Sequence, residues 1–127
     1  MRFLLDTHTA LWFLQGSDEL PNQLLKLITD VDNRCFISVA SLWEITIKAS
    51  LGKLTLHDDL EKIYQLRSEN QIEPFQIEYH HLKCLMCLEH YHRDPFDRLI
   101  IAQAKEEGLT VLTKDRMFAA YDVKTQW

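Results

Sequence analysis

Short apolar runs alternate along this chain with longer stretches in which apolar residues recur every three or four positions. The first pattern predicts buried strands and the second amphipathic helices. Phe3-Leu4-Leu5 ends in Asp6 and reads as a strand running into a turn, followed by a helix over Thr7 to Gln15 that Gly16 stops. Pro21 suits the first turn of a second helix, where Leu24, Leu25, Leu27, Ile28 and Val31 form an apolar stripe. Cys35 to Val39 is a second strand. Ser41 and Glu44 then have the spacing of a capping box, opening a helix that runs to about Leu51 before Gly52. Asp58 or Asp59 opens another, reaching about Asn70.

Ile72 to Ile77 is a third strand, and Pro74 assigns it to a sheet edge or a local break. Tyr79 to His90 predicts a helix. Asp94-Pro95-Phe96-Asp97 is a strong helix start, with a capping acid, proline at the first helical position and an acid near the positive helix end. That helix continues to Gly108. Leu109 to Thr113 is a fourth strand, Lys114 to Ala120 a short helical turn, and Tyr121 to Trp127 a final strand. Strands alternating with helices imply βαβ units, a parallel sheet covered on both faces and a doubly wound α/β sandwich. Ligands of such sheets bind outside the carboxyl ends of the strands, where Asp6 and Asp115 fall.

The length of 127 residues fits a single domain over 1–127, and 46% hydrophobic with 26% charged residues is ordinary for a globular fold. Three cysteines, an opening apolar segment too short for a signal peptide and no run long enough to span a membrane predict a cytoplasmic protein. With 14 basic against 19 acidic residues, the net charge of −5 argues against grip on nucleic acid through a broadly basic surface. Any such function needs a local device.

Four acids supply one. Asp6 and Asp115 lie just past strands, Glu44 in the first turn of the helix after the second strand, and Asp97 in the first turn of the helix before the fourth. Carboxylates gathered at one sheet edge repel one another, and a hard divalent cation relieves that repulsion. Mg²⁺, or Mn²⁺ in its place, is the natural cofactor, and such ions hold a phosphodiester, activate water and neutralise the leaving oxygen. Each acid also has a local reading: Asp6 as a cap, Glu44 as partner of Ser41 or Lys48, Asp94 as a cap, Asp115 as a turn residue. Lys48, Lys53, Arg93, Arg98, Lys114 and Arg116 flank the acids as phosphate contacts or as solvated surface charge. A rival set, His80, His81, Cys84, Cys87, His90 and His92, contains Cys-x-x-Cys, although Leu82, Leu85, Met86 and Leu88 make it read as a packed helix. It carries the alternative of a zinc-containing interaction module. Glycine loops for nucleotides, G-x-S-x-G and H-E-x-x-H are absent.

Four blocks in order resemble the PIN-domain ribonucleases, in particular the VapC-type toxins of bacterial toxin–antitoxin pairs. They are Leu4 to Trp12, Ser38 to Ile45 with Lys48, Gly52, Lys53 and Leu54, His92 to Ala104, and Leu112 to Asp115. The resemblance implies a PIN-like three-layer α/β/α sandwich with a central, mainly parallel sheet. It also implies an acidic metal site of Asp6, Glu44, Asp97 and Asp115, with Asp94 outside that set and Thr113 lining it. The implied activity is Mg²⁺-dependent endoribonuclease cleavage of a structured RNA, a tRNA or ribosomal RNA, which arrests translation. Thr113, Arg98, Lys48 and Arg116 are the candidate substrate contacts. A small cognate antitoxin and a homodimer are the implied partners, the Leu11-Trp12-Phe13-Leu14 stripe serving as partner groove or as core. A non-catalytic PIN-like module is the remaining alternative.

Overall fold

A computed structural model describes residues 1–55 and 59–127. Its strands are β1 (Arg2–Leu5), β2 (Arg34–Ser38), β3 (Ile72–Phe75), β4 (Thr110–Leu112) and β5 (Thr125–Gln126). Its α-helices are α1 (Thr7–Leu14), α2 (Asn22–Thr29), α3 (Val39–Ser50), α4 (Leu60–Glu69), α5 (Tyr79–Cys87) and α6 (Pro95–Glu107), and a 3₁₀ helix covers Arg116–Tyr121. The strands form one sheet in the order β3-β2-β1-β4-β5, with every pairing parallel.

Alternation along each strand divides the core between the two sheet faces. Phe3, Leu5, Cys35, Ile37, Ile72 and Leu112 point to one face, where Leu24 and Ile28 of α2 and Ile63 of α4 cover them. Leu4, Phe36 and Val111 point to the other, under Ile100, Ile101 and Ala104 of α6 and Phe118 of the 3₁₀ helix. The three layers are those of an α/β/α sandwich. Successive strands run outward from β1 to β2 and β3, and the chain then crosses back to β4 and β5 on the far side of β1. The order therefore reverses between β1 and β4, which opens a crevice at their carboxyl ends.

Several expectations stand. β3 is an edge strand and seats Pro74 opposite Ile37, where its missing N–H costs no ladder bond to a further strand. Asp59 caps α4, accepting from the Lys62 amide at 2.8 Å, while Asp58 lies outside the described residues. Asp94 caps α6, and Gly108 ends it at φ 66°, a left-handed conformation that glycine adopts without strain.

Others are corrected. The cap of α3 is Ser38, whose hydroxyl accepts from the Ala40 amide at 3.0 Å, and the helix begins at Val39. Ser41 is consequently inside the first turn, the Ser41–Glu44 capping box does not form, and Glu44 sits in the second turn. Helix α5 stops at Cys87 and not at His90, because Leu88 turns to extended backbone (ψ 142°) and the guanidinium of Arg98 binds the carbonyls of Leu88, Glu89 and His92. The third and fifth strands are shorter than predicted, ending at Phe75 and confined to Thr125–Gln126.

Candidate active site

Asp6 leaves β1 at the switch point and is buried. Its Oδ1 caps α1 by accepting from the Thr9 amide at 2.8 Å, and its Oδ2 accepts the Thr113 hydroxyl at 2.5 Å. The helix-cap reading of Asp6 is thus realised on Oδ1, while Oδ2 is engaged from the opposite wall of the crevice. Thr113 follows β4 and also accepts from the Asp115 amide at 3.0 Å, so one hydroxyl joins the two acids that flank the crevice. Thr9 in turn ties α1 to β4 by donating to the Leu112 carbonyl at 3.0 Å.

Glu44 reaches the same place from α3 and is also buried. Its Oε1 accepts the Thr7 hydroxyl at 2.7 Å, and Lys48, one turn on, stands 2.7 Å from Oε2. The bond to Glu44 holds the Lys48 ammonium above its ordinary pKa, and the charges of Glu44, Asp94 and Asp97 add to that. Thr7 also lies 3.0 Å from Ser41 Oγ, which gives Ser41 a place in the site support in exchange for its expected cap.

Asp97 stands in the first turn of α6, its amide donating to Asp94 Oδ1 at 2.9 Å. Burial, then the neighbouring Asp94, push its carboxyl up to about 7; Asp6 and Glu44 add to the rise and His92 opposes it. Three acids on three elements therefore act on one another electrostatically. Among the described residues, Asp97 Oδ1 has no hydrogen-bond or ion-pair partner, whereas each oxygen of Asp6, Glu44 and Asp115 has one. Asp115 caps the 3₁₀ helix through Oδ1, which accepts from the Met117 amide at 2.9 Å.

His92 is the residue that sequence reasoning assigned elsewhere. Its Nε2 lies 2.9 Å from Asp115 Oδ2 and 3.0 Å from Asp97 Oδ2. Its position directly before the Arg93-Asp94-Pro95 helix start was the available signal, since a residue just ahead of a cap shares the helix end with the acids. The rest of the rival cluster divides: His80 and His81 both meet Glu107 Oε1 at 2.8 Å, and neither cysteine joins a grouping of potential ligands among the described residues. His81 accepts the Glu78 amide on Nδ1, which leaves its proton on Nε2 and makes it a donor to Glu107.

The candidate substrate contacts separate as well. Thr113 orients Asp6, Lys48 is ion-paired to Glu44, and Arg116 is exposed beside Asp115. Arg98 is buried, and its guanidinium is taken up by three carbonyls and the Tyr121 hydroxyl; it braces the loop that carries His92 and is not presented to a phosphate. In the stripe on α1, Leu11 and Leu14 are core, while Trp12 and Phe13 are half-buried against it. Asp6, His8, Trp12, Lys114 and Asp115 line an open cavity of about 340 Å³.

The residues present fit a divalent cation. The donors are carboxylate oxygens, which Mg²⁺ and Mn²⁺ prefer, and desolvation together with the crowding of acids leaves the half-buried Asp97 carboxyl costly to ionise without a cation. Among the described residues no helix is long and apolar enough to cross a membrane.

No curated protein sequence matches the chain significantly. Among solved structures it is similar to VapBC2 of Rickettsia felis bound to a promoter DNA fragment, with a TM-score of 0.73, 18% identity, and coverage of 99% of this chain and 98% of that one. It is similar also to DNA-bound VapBC of Salmonella typhimurium (TM-score 0.71, 17% identity, 99% and 97% covered). VapBC-1 of nontypeable Haemophilus influenzae gives a TM-score of 0.70 at 15% identity, with 99% and 97% covered. The PIN domain family pattern matches residues 3–124, which contain all four acids, and the chain belongs to the PIN domain family.

Proposed function

We propose that the chain is a divalent-cation-dependent endoribonuclease, the toxin of a VapC-type toxin–antitoxin pair. The observation that carries this reading is the convergence of Asp6, Glu44, Asp97 and Asp115 at the sheet's switch point, with Asp97 pushed up to about 7 by burial and its acidic neighbours. Asp6, Glu44 and Asp97 would hold Mg²⁺, or Mn²⁺ in its place, with Asp115 at the margin. When bound, the ion supplies activation of water and neutralisation of charge on the phosphodiester.

The chain's own residues set the rest. Thr9 and Thr113 fix both oxygens of Asp6, and Thr7 and Lys48 fix those of Glu44, so the acids stand oriented before substrate arrives. Lys114 and Arg116 lie exposed beside Asp115 and can hold phosphates on either side of the cut bond. Trp12 and His8 line the cavity that Asp6 and Asp115 share and can pack against a base there. In-line attack by water leaves a 5′-phosphate and a 3′-hydroxyl, with no covalent enzyme intermediate.

The substrate we infer is a structured RNA of the translation machinery, a tRNA or ribosomal RNA, cut in the cytoplasm with arrest of translation. A small antitoxin and a second copy of the chain are the proposed partners; the VapBC complexes among its structural neighbours support the first. Brief expression followed by sequencing of RNA 5′ ends, beside an Asp6→Asn control, tests the reading. New ends at discrete positions that the control lacks, suppressed by co-expression of a neighbouring small reading frame, are expected. Identical 5′ ends in the two strains contradict it.

A further inference from the structure

We propose that His92 is a positioning residue of the acidic site: its Nε2–H orients the Asp115 carboxylate beside Asp97, and its imidazole stays outside the cation's ligand set. The proposal rests on the reading that the acids hold a divalent cation, and it concerns a residue that reading does not use.

The backbone around His92 is held from several sides. Its amide donates to the Tyr121 hydroxyl at 2.6 Å, and its carbonyl and that of Glu89 accept from the buried Arg98 guanidinium at 3.4 and 2.8 Å. The ring stands edge-on to the fully buried Phe118, with centroids 6.1 Å apart. Nδ1 accepts the Asp94 amide at 3.2 Å, so its lone pair is occupied by a donor. A neutral imidazole carries one proton, and that proton is then on Nε2. Nε2 stands 2.9 Å from Asp115 Oδ2 and 3.0 Å from Asp97 Oδ2, and a carboxylate at Asp115 accepts that proton.

This arrangement is the reverse of a ligating histidine, where one nitrogen binds the metal and the other donates its N–H to an orienting group. In His92 the remote nitrogen accepts and the near one donates. A nitrogen bearing a proton has no lone pair for a metal. With Met117 donating to Oδ1, the second donor on Oδ2 leaves the Asp115 carboxylate fixed at both oxygens. The same wiring ties that orientation to the Asp94 amide, at the start of the helix that carries Asp97.

Mn²⁺ binding to the purified full chain, read by electron paramagnetic resonance, tests the assignment with wild type, His92→Ala and His92→Gln. Glutamine keeps an N–H at about the same reach. Loss of the donor in His92→Ala is expected to weaken Mn²⁺ binding roughly 10- to 100-fold. His92→Gln is expected to return to within a few-fold of wild type, and spin-echo spectra of the bound ion to show no nitrogen coupling. Wild-type affinity in His92→Ala overturns the proposal, as does a folded His92→Gln no better than His92→Ala, or nitrogen coupling that marks His92 as a ligand. Absence of Mn²⁺ binding by wild type overturns the metal reading itself, and this proposal with it.

Discussion

Thr113 donates its hydroxyl proton to Asp6 Oδ2 at 2.5 Å, joining two buried residues 107 positions apart at the carboxyl ends of adjacent strands. The bond holds an acid of the site from the opposite wall of the crevice. Thr113→Val keeps the shape and removes the donor. Activity should fall about 10- to 100-fold through misorientation of Asp6, and stability by about 1–3 kcal/mol because a buried carboxylate oxygen loses its partner. Cleavage kinetics and urea unfolding on one preparation check both.

Asp97 gives the metal-free protein a pH dependence of defined sign. Its carboxyl is raised to about 7 in the fold, against roughly 4 in an unfolded chain. The native state therefore holds a proton that the unfolded state has released, and stability from this group declines between about pH 4 and pH 7, then levels off. Melting in EDTA should fall across that interval for wild type. Asp97→Asn should flatten the profile and melt higher than wild type at pH 8. Added Mg²⁺ should restore the wild type and have a smaller effect on the variant.

Arg98 separates bracing from substrate binding. Arg98→Ala removes donors to three carbonyls and a hydroxyl from a buried position and should cost about 2–3 kcal/mol by urea unfolding. Arg98→Lys should recover little, since one ammonium cannot span oxygens set for a planar fork. A phosphate contact predicts the other outcome, a higher KM for RNA with unchanged stability.

Caps on α3 can be ranked. Ser38→Ala should cost about 1 kcal/mol through loss of the bond to the Ala40 amide. Ser41→Ala should cost less, because Thr7 keeps its bond to Glu44 Oε1. A capping box at Ser41 would reverse that order.

Much of this was legible in the sequence because the strands are dense apolar runs and the strong helix start at Asp94 has little competition from other conformations. The placement of Asp6, directly after β1, and of Asp115, three positions after β4, was legible for the same reason, since a carboxylate just past a buried strand has few places to go in a doubly wound sheet. What sequence reasoning missed depends on contacts between distant segments. The end of α5 is set by Arg98, ten positions beyond Leu88, and local propensity between Tyr79 and His90 carries no trace of it. Ser38 and Ser41 both satisfy a cap by composition, and only the end of β2 decides between them. His92 looked like a member of a histidine and cysteine series because its neighbours in sequence are of that type, whereas its neighbours in space are Asp97 and Asp115.

The four acids are proposed to make this chain a cation-dependent ribonuclease. The most direct measurement of that activity is cleavage of total tRNA and ribosomal RNA by the purified chain in Mg²⁺ and in EDTA, beside Asp6→Asn and Asp97→Asn proteins shown to be folded. Cuts at discrete positions with 5′-phosphate ends are expected in Mg²⁺ alone, absent from both variants. Cleavage that persists in EDTA, or that Asp6→Asn and Asp97→Asn retain undiminished, would contradict it.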